Sequence, residues 1–377
     1  MASSGKLRCG RLARAATGVA ALVASACSLL PAAPFAPLPA PAILLPLGLS
    51  DVTDARARFR STLCKLAAER KGKYPDERPC DDMLHDLGGE ATGAVAHAVA
   101  HRPAKILIVP GIFGECVSDQ LTPFSDGAVG ADGRKTEHPY AYVENLGYRV
   151  DVVKVRGRAS SEANAPDIKQ ALVDMAADGM PLIIIAYSKG VPDTLEALRQ
   201  LGKAGIPRNL RAVVSVAGVV AGTPIADRLD HLYESVLAHV PFPGCAGMPS
   251  DPVASLSRAE RLRKLQAELA AVPDTVKLYS VAAIAKPEDV TAALRGFHAL
   301  LSASDPRNDG QVLYHDAVLP RSQLLGYVNS DHWAFVLAFN RADRPYWRAL
   351  VDHNAFPREV LLEAILLQVQ SDMRRQD

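Results

Sequence analysis

Short all-apolar runs alternate along this chain with longer stretches in which apolar residues recur every three or four positions. Lys105-Ile106-Leu107-Ile108-Val109 ends abruptly at Pro110-Gly111 and predicts a buried strand. Tyr148 to Val155, Leu182 to Ala186 and Ala212 to Val216 repeat that signature, and Val276 to Ile284 and Leu324 to Val328 add two more candidates. Between them lie helical patterns, at Tyr140 to Leu146, at Pro166 to Ala177 with Pro166 suited to the first turn, and at Thr194 to Leu201. Strands separated by helices imply an α/β fold, a mostly parallel central sheet covered on both faces. Ligands of such sheets sit beyond the carboxyl ends of the strands, so the loops after the strands are where chemistry is expected.

The interval 222–273 breaks the alternation. It carries no central-strand pattern but holds a PFPGCAGMPSDP loop and a charged helix around Arg258 to Leu269, which predicts a cap or lid inserted between two core strands. The segment before Lys105 is partly helical and is expected to wrap the core. With 377 residues, 49% of them hydrophobic, there is ample material for one large domain. A formal net charge of +1, with basic residues scattered, argues against nucleic acid as a partner.

The N-terminal region reads as a targeting segment rather than as fold. Lys6, Arg8, Arg11 and Arg14 precede a short apolar run, then Ala24-Ser25-Ala26 and Cys27. This resembles a bacterial lipoprotein signal, with Ala24 where Leu is usual. It implies cleavage after residue 26, lipidation of Cys27 and a membrane tether, in an outer-membrane or periplasmic location. Plain secretion is the alternative, with Cys27 an ordinary residue of the leader. Residues 27–49 are Pro/Ala-rich and read as a semi-extended tether, leaving 50–377 as the folded domain. Four cysteines remain there besides Cys9 and Cys27, and four allow three connectivities. The pairing expected is Cys64 with Cys80 and Cys116 with Cys245; free buried thiols are the alternative.

The sharpest local signal is IIIAYSKG, residues 183–190, an aliphatic strand followed at once by a hydroxyl and a charge. A strand that turns straight into a helix projects the intervening side chain over the sheet edge, and small residues on either side let the two elements pass closely. Ala186 and Gly190 supply them around Ser188. The stretch resembles the nucleophile elbow of the alpha/beta-hydrolase superfamily, with Ala186 in place of its first Gly. That resemblance implies that the backbone N–H of Lys189 faces an oxyanion, with the Lys189 side chain a surface or rim charge. It also places a second donor, the N–H of Ile112, in Pro110-Gly111-Ile112-Phe113-Gly114 after the first strand, where the superfamily often has a His-Gly-x-x-Gly loop. Tyr187 either lines an acyl pocket or packs on the neighbouring helix.

A serine hydroxyl needs a base within hydrogen-bond reach and an acid to orient that base. The superfamily's chain order is Ser, acid, His. Of the later histidines, His332 follows the last candidate strand, and a helix from Ala334 to Phe339 is expected to fix its loop. His231 and His239 fall in the cap. For the acid, Asn308-Asp309-Gly310-Gln311-Val312 resembles the acid loop of bacterial triacylglycerol lipases and points to Asp309; Asp305 is its rival, and Asp331 is badly directed to orient the ring. No metal-ligand or phosphate-cradling spacing appears, and the reaction implied requires no cofactor.

By resemblance, then, the chain is a serine hydrolase of lipase or esterase type acting through an acyl-enzyme on carboxylic esters, small-molecule, lipid-like or polyester-like. Thioester or amide hydrolysis by the same residues, and a binding protein that keeps the fold without the chemistry, are the other readings. Oligomeric state is left open.

Overall fold

The computed structural model describes residues 51–88, 100–112, 122–127, 138–157, 159–228, 254–341, 351–353 and 355–374. Seven strands are present among them: β1 (Thr53–Asp54), β2 (Ala104–Val109), β3 (Tyr148–Val152), β4 (Leu182–Tyr187), β5 (Leu210–Val216), β6 (Lys277–Ile284) and β7 (Ser322–Asn329). They form one parallel sheet in the order β1-β7-β6-β5-β4-β2-β3. The helices are α1 (Arg56–Glu69), α2 (Cys80–Met83), α3 (Ala141–Glu144), α4 (Ser161–Ala176), α5 (Gly190–Gly205), α6 (Pro224–Arg228), α7 (Arg258–Ala271), α8 (Arg295–Ser302) and α9 (Arg358–Met373). This is the alpha/beta-hydrolase architecture that the alternating pattern predicts.

Why β4 lies at the centre is visible in its side chains. Every residue of it is buried, and successive ones face opposite layers. Ile183 and Ile185 pack in the layer of α1 and α9, with Phe59, Leu63, Leu361 and Ile365. Leu182, Ile184 and Ala186 pack in the layer of α4, α5 and α7, with Ile168, Leu172, Leu195 and Leu265. Burying one such aliphatic side chain stabilises the fold by roughly 1.5–3 kcal/mol. Two covered faces are what fix this strand, and with it the position of the residue that follows.

Several expected boundaries move. The helix expected from Pro166 begins at Ser161, because the Ser160 hydroxyl accepts a hydrogen bond from the Ala163 N–H and caps the helix there. Pro166 is therefore interior. The strand expected to reach Val155 ends at Val152. The helix assigned to the cap is not part of a roof. In α7, Leu265 and Leu269 sit among the aliphatic residues of α5, β4 and β5, so it covers the sheet. Its charged look comes from pairs along its outer face, Arg263 with Glu260 and Lys264 with both Glu260 and Glu162. The rest of the interval expected as a cap, residues 229–253 with His231 and His239, lies outside the described residues.

Cys64 on α1 is bonded to Cys80 at the start of α2, with Cα atoms 5.2 Å apart. Cys27, Cys116 and Cys245, together with the leader and tether of residues 1–49, lie outside the described residues. Among the described residues no helix is long and apolar enough to cross a membrane.

One buried ion pair pins α7 to the loop after β5. Arg261 and Glu268, both within 1% of fully buried, meet through two hydrogen bonds of 2.9 and 2.6 Å, and the Arg261 Nε donates to the Val220 carbonyl at 3.2 Å. Arg261→Met strands a carboxylate in that layer. Urea unfolding is expected to show a loss of about 3–5 kcal/mol, largely recovered by adding Glu268→Leu.

Candidate active site

Ser188 directly follows β4 and has φ 54°, in the left-handed region that a non-glycine residue rarely occupies. The strand arrives buried and α5 starts at Gly190, so the chain reverses within two residues. Backbone contacts hold it. The Ser188 N–H donates to the Val216 carbonyl at 3.0 Å, and the Ser188 carbonyl accepts from the N–H groups of Val191 (3.1 Å) and Val219 (3.2 Å). A Cβ on Gly190 would lie 2.3 Å from the Val109 carbonyl oxygen and 2.7 Å from that of Pro110, so helix and strand loop cross here at a distance only glycine permits.

His332 lies in the turn that follows β7. Its Nε2 is 2.8 Å from the Ser188 Oγ, and its Nδ1 is 2.7 Å from Asp309 Oδ2. A carboxylate can only accept, so Nδ1 carries the proton, and Nε2 is left to accept from the serine hydroxyl. All three side chains are buried, Ser188 at 6% exposure and the other two at 1%. The three candidates drawn from far-apart positions thus meet in one hydrogen-bonded row.

Asp309 is fixed by its own turn. Its Oδ1 accepts from the N–H groups of Gln311 (2.8 Å) and Val312 (2.7 Å), while its carbonyl accepts from the His332 N–H at 2.8 Å. Gly310, at φ 90°, makes that turn. The rival Asp305 is committed elsewhere, chelated by the Arg307 guanidinium, which also lies over the Tyr314 ring. Asp331 does not touch the ring either. It accepts from the Thr291 N–H and hydroxyl on one oxygen and from the N–H groups of Trp333 (3.0 Å) and Ala334 (2.9 Å) on the other. Burial pushes its carboxyl pKa up, against those hydrogen bonds.

The helix expected over Ala334 to Phe339 is absent. Residues 332–336 form turns and Phe339–Arg341 a short 3-10 helix. Asp331 caps one turn, but the Val336 carbonyl is taken by the Phe124 N–H at 2.8 Å, which diverts the chain from a helical path.

Tyr187 packs against His332. Its ring lies 5.3 Å from that of His332, and its hydroxyl donates to the His332 carbonyl at 2.8 Å. Burial, with the charges of Asp309 and Asp331, holds the phenol pKa well above its usual value, so it remains a donor.

Lys189 requires a correction. It is 1% exposed, and its ammonium sits 2.8 and 2.7 Å from the two carboxylate oxygens of Asp193. Asp193 also accepts from Ser161 Oγ at 2.6 Å and Asn164 Nδ2 at 2.7 Å. The pair faces α4, not solvent. A lysine following a serine gives no sign of this, because the partner one helical turn on is informative only once the helix faces another one. Lys189 is the residue before α5, where N–H groups lack intrahelical acceptors. Ile112 comes one residue after Gly111, whose added Cβ would be 2.9 Å from Ser188 Cβ, so the loop after β2 passes against the serine. Ile112 is half-buried against the cluster of Val219 and Leu256.

Among the described residues no three His, Cys, Asp or Glu side chains gather as a metal-binding group. A hydroxyl aligned on a neutral imidazole, itself aligned on a carboxylate, is suited to proton removal coupled to attack on an electrophilic carbon. The close crossing at the turn is open to test by Gly190→Ala, which is expected to lower the urea unfolding midpoint by an amount equivalent to about 2 kcal/mol or more.

No protein-family model and no curated protein matches the sequence. Among solved structures, the metagenomic carboxyl esterase MGS0156 is 33% identical to this chain. The match covers 88% of this chain and 96% of that one, with a TM-score of 0.75. The mature lipase BlEst2 of Bacillus licheniformis is far more distant, at 19% identity over 63% of this chain and 87% of that one, with a TM-score of 0.46.

Proposed function

The chain belongs to the alpha/beta-hydrolase esterases, and from that premise we propose that Ser188, His332 and Asp309 are the residues through which it cleaves carboxylic esters. It is a serine hydrolase. The observation that carries the residue assignment is the His332 ring spanning from Ser188 Oγ to Asp309 Oδ2 at 2.8 and 2.7 Å.

In this reading the neutral ring takes the hydroxyl proton as Oγ bonds to the ester carbonyl carbon. The charge that develops on the carbonyl oxygen is received by the Lys189 and Ile112 N–H groups, the kind of donor worth roughly 3 kcal/mol each. The tetrahedral species collapses with cleavage of the carbon–oxygen bond, and the imidazolium protonates the departing alcohol. Water, deprotonated by the same ring, then attacks the acyl-enzyme and releases the acid. Asp309 holds the tautomer and offsets the imidazolium charge without itself taking the proton.

The substrate proposed is a lipid-like ester. Its support is the apolar content of the segment between α6 and α7, with Leu232, Val236, Leu237, Val240, Phe242 and Met248. MGS0156 is named a carboxyl esterase, which fits the ester class but not a chain length. Export with lipidation at Cys27 is proposed from the basic, apolar and small-residue succession of residues 6–27, and the Cys64–Cys80 bond suits an oxidising compartment. Intact mass of the protein from a bacterial host is expected to place a lipid increment on Cys27, and an unmodified N-terminus beyond that residue would remove the anchor.

The decisive test is turnover of p-nitrophenyl esters of increasing acyl length. Ser188→Ala is expected to reduce kcat on the order of 10^6-fold with an unchanged circular dichroism spectrum. Asp309→Asn is expected to cost about 10^3–10^4-fold, because the ring is then free to adopt the wrong tautomer. Retention of full activity by Ser188→Ala would discard the assignment.

A further inference from the structure

The turn bearing His332 hangs from the end of β7, and the two sides of that strand end are covered differently. On one side β6 runs alongside as far as Asn329. On the other, β1 pairs only with Gln323 and Leu324, at the beginning of β7. The rest of that edge is covered by residues 78–85. Leu84 bridges Val328 in antiparallel fashion, and the His85 N–H donates to the Tyr327 carbonyl at 2.8 Å. The Asn329 side-chain amide donates to the Asp82 carbonyl at 3.1 Å. Arg78 completes the contact, its guanidinium donating to the Asn329 carbonyl at 2.6 Å and the Ala355 carbonyl at 3.1 Å while lying over the Phe356 ring. Asn329 is three residues from His332.

A strip this short, half of it the single turn of α2, adds Met83 and Leu84 to the core and orders weakly unless it is tied at its ends. Two ties run to α1. The Arg60 guanidinium donates to the carbonyls of Leu84 (3.2 Å) and His85 (2.8 Å), and the Cys64–Cys80 bond closes the chain over a separation of 16 residues. Helix α1 itself packs on β7 and α9.

We propose that Arg78 and the Cys64–Cys80 bond are positioning elements for His332, holding residues 78–85 on the uncovered edge of β7 so that the ring stays aligned between Ser188 and Asp309. The inference rests on the assignment of His332 as the general base. Misplacement of a reacting group by 1 Å can cost 10^2-fold in rate, so a strand end released on one side is expected to lower turnover rather than substrate affinity. It follows that the enzyme loses activity under reducing conditions although neither cysteine touches the reacting atoms.

The test compares wild type, wild type reduced and alkylated, the Cys64→Ser/Cys80→Ser variant, Arg78→Met and Arg78→Lys on a p-nitrophenyl ester. Turnover is expressed per active site, counted by complete reaction with an irreversible phosphonate ester. A purely structural role would lower the number of sites counted and leave turnover per site untouched. The expected result is a fall of about tenfold in kcat per site for the reduced protein, the double cysteine variant and Arg78→Met, with KM within about twofold. Arg78→Lys, which keeps a donor for one of the two carbonyls, is expected to recover part of the loss. Unchanged turnover per site in all of these, or a raised KM at constant kcat, would overturn the proposal while leaving the triad standing. Absence of ester turnover and of phosphonate labelling in wild type would instead refute the site assignment, and this inference with it. Arg78→Met alone decides the matter if the cysteine variant does not fold.

Discussion

The left-handed backbone at Ser188 is the constraint to which the rest of the site is adjusted. A non-glycine residue in this region costs on the order of 1–3 kcal/mol and persists only where its surroundings over-determine it. Here both of its backbone polar groups are engaged, one by β5 and the other by Val191 in α5 and Val219 in the loop after β5. Gly190 lets α5 press against the carbonyls that end β2. The buried Lys189–Asp193 pair then ties the first turn of α5 to α4 through Ser161 and Asn164. Buried ion pairs add little net stability against an apolar alternative, and their best-attested use is to fix register. At this position register is what matters, since Lys189 carries one of the proposed oxyanion donors.

The histidine is aligned by contacts that start from the same bend. Tyr187, the residue before the nucleophile, donates to the His332 carbonyl, while the His332 N–H donates to the Asp309 carbonyl. The ring then spans from Asp309 back to Ser188. The strand bearing Ser188, the loop of His332 and the loop of Asp309 are therefore joined in series into one circuit with two hydrogen bonds at each junction, and displacing any one member lengthens at least two bonds. Asp331 anchors the circuit from outside by drawing Thr291 and the first amides of the turn around a single buried carboxylate.

Much of this was legible in the sequence because it is local. The aliphatic runs announce β2 and β4 to β7, and the elbow around Ser188 and the Asn-Asp-Gly turn at Asp309 are short signals whose chemistry follows from residue type and spacing. Chain order and its place after a strand mark His332. What escaped is non-local. β1 has only two residues and no pattern of its own, and α9 is buried on all sides, so it lacks the polar face that marks a helix. Helix α7 falls in the strandless interval 222–273 and reads with it as cap, whereas the stripe that docks it on the sheet rests on Leu265 and Leu269. The interior placement of Lys189 could not be seen, since Asp193 neutralises it across one helical turn and Ser161 and Asn164 come from another helix.

The same non-local logic applies to the stretches of chain that follow the proposed donor Ile112 and the proposed base His332. In residues 122–127, further along the chain from Ile112, the Phe124 N–H donates to the Val336 carbonyl in the stretch following His332. Gly127 lies so close to Ala338 that an added Cβ would come within 2.6 Å of it. Arg341 then donates to the Asp126 carbonyl at 2.7 Å while pairing with Asp76 and Glu359. The chain on the donor side and the chain on the base side are thus fastened to each other, to the N-terminal arm and to α9. Transition-state stabilisation of this kind depends on donors and base keeping their mutual geometry as charge moves from the serine to the substrate oxygen. The cross-link between the two stretches is built from polar groups that are paired and mostly withdrawn from solvent.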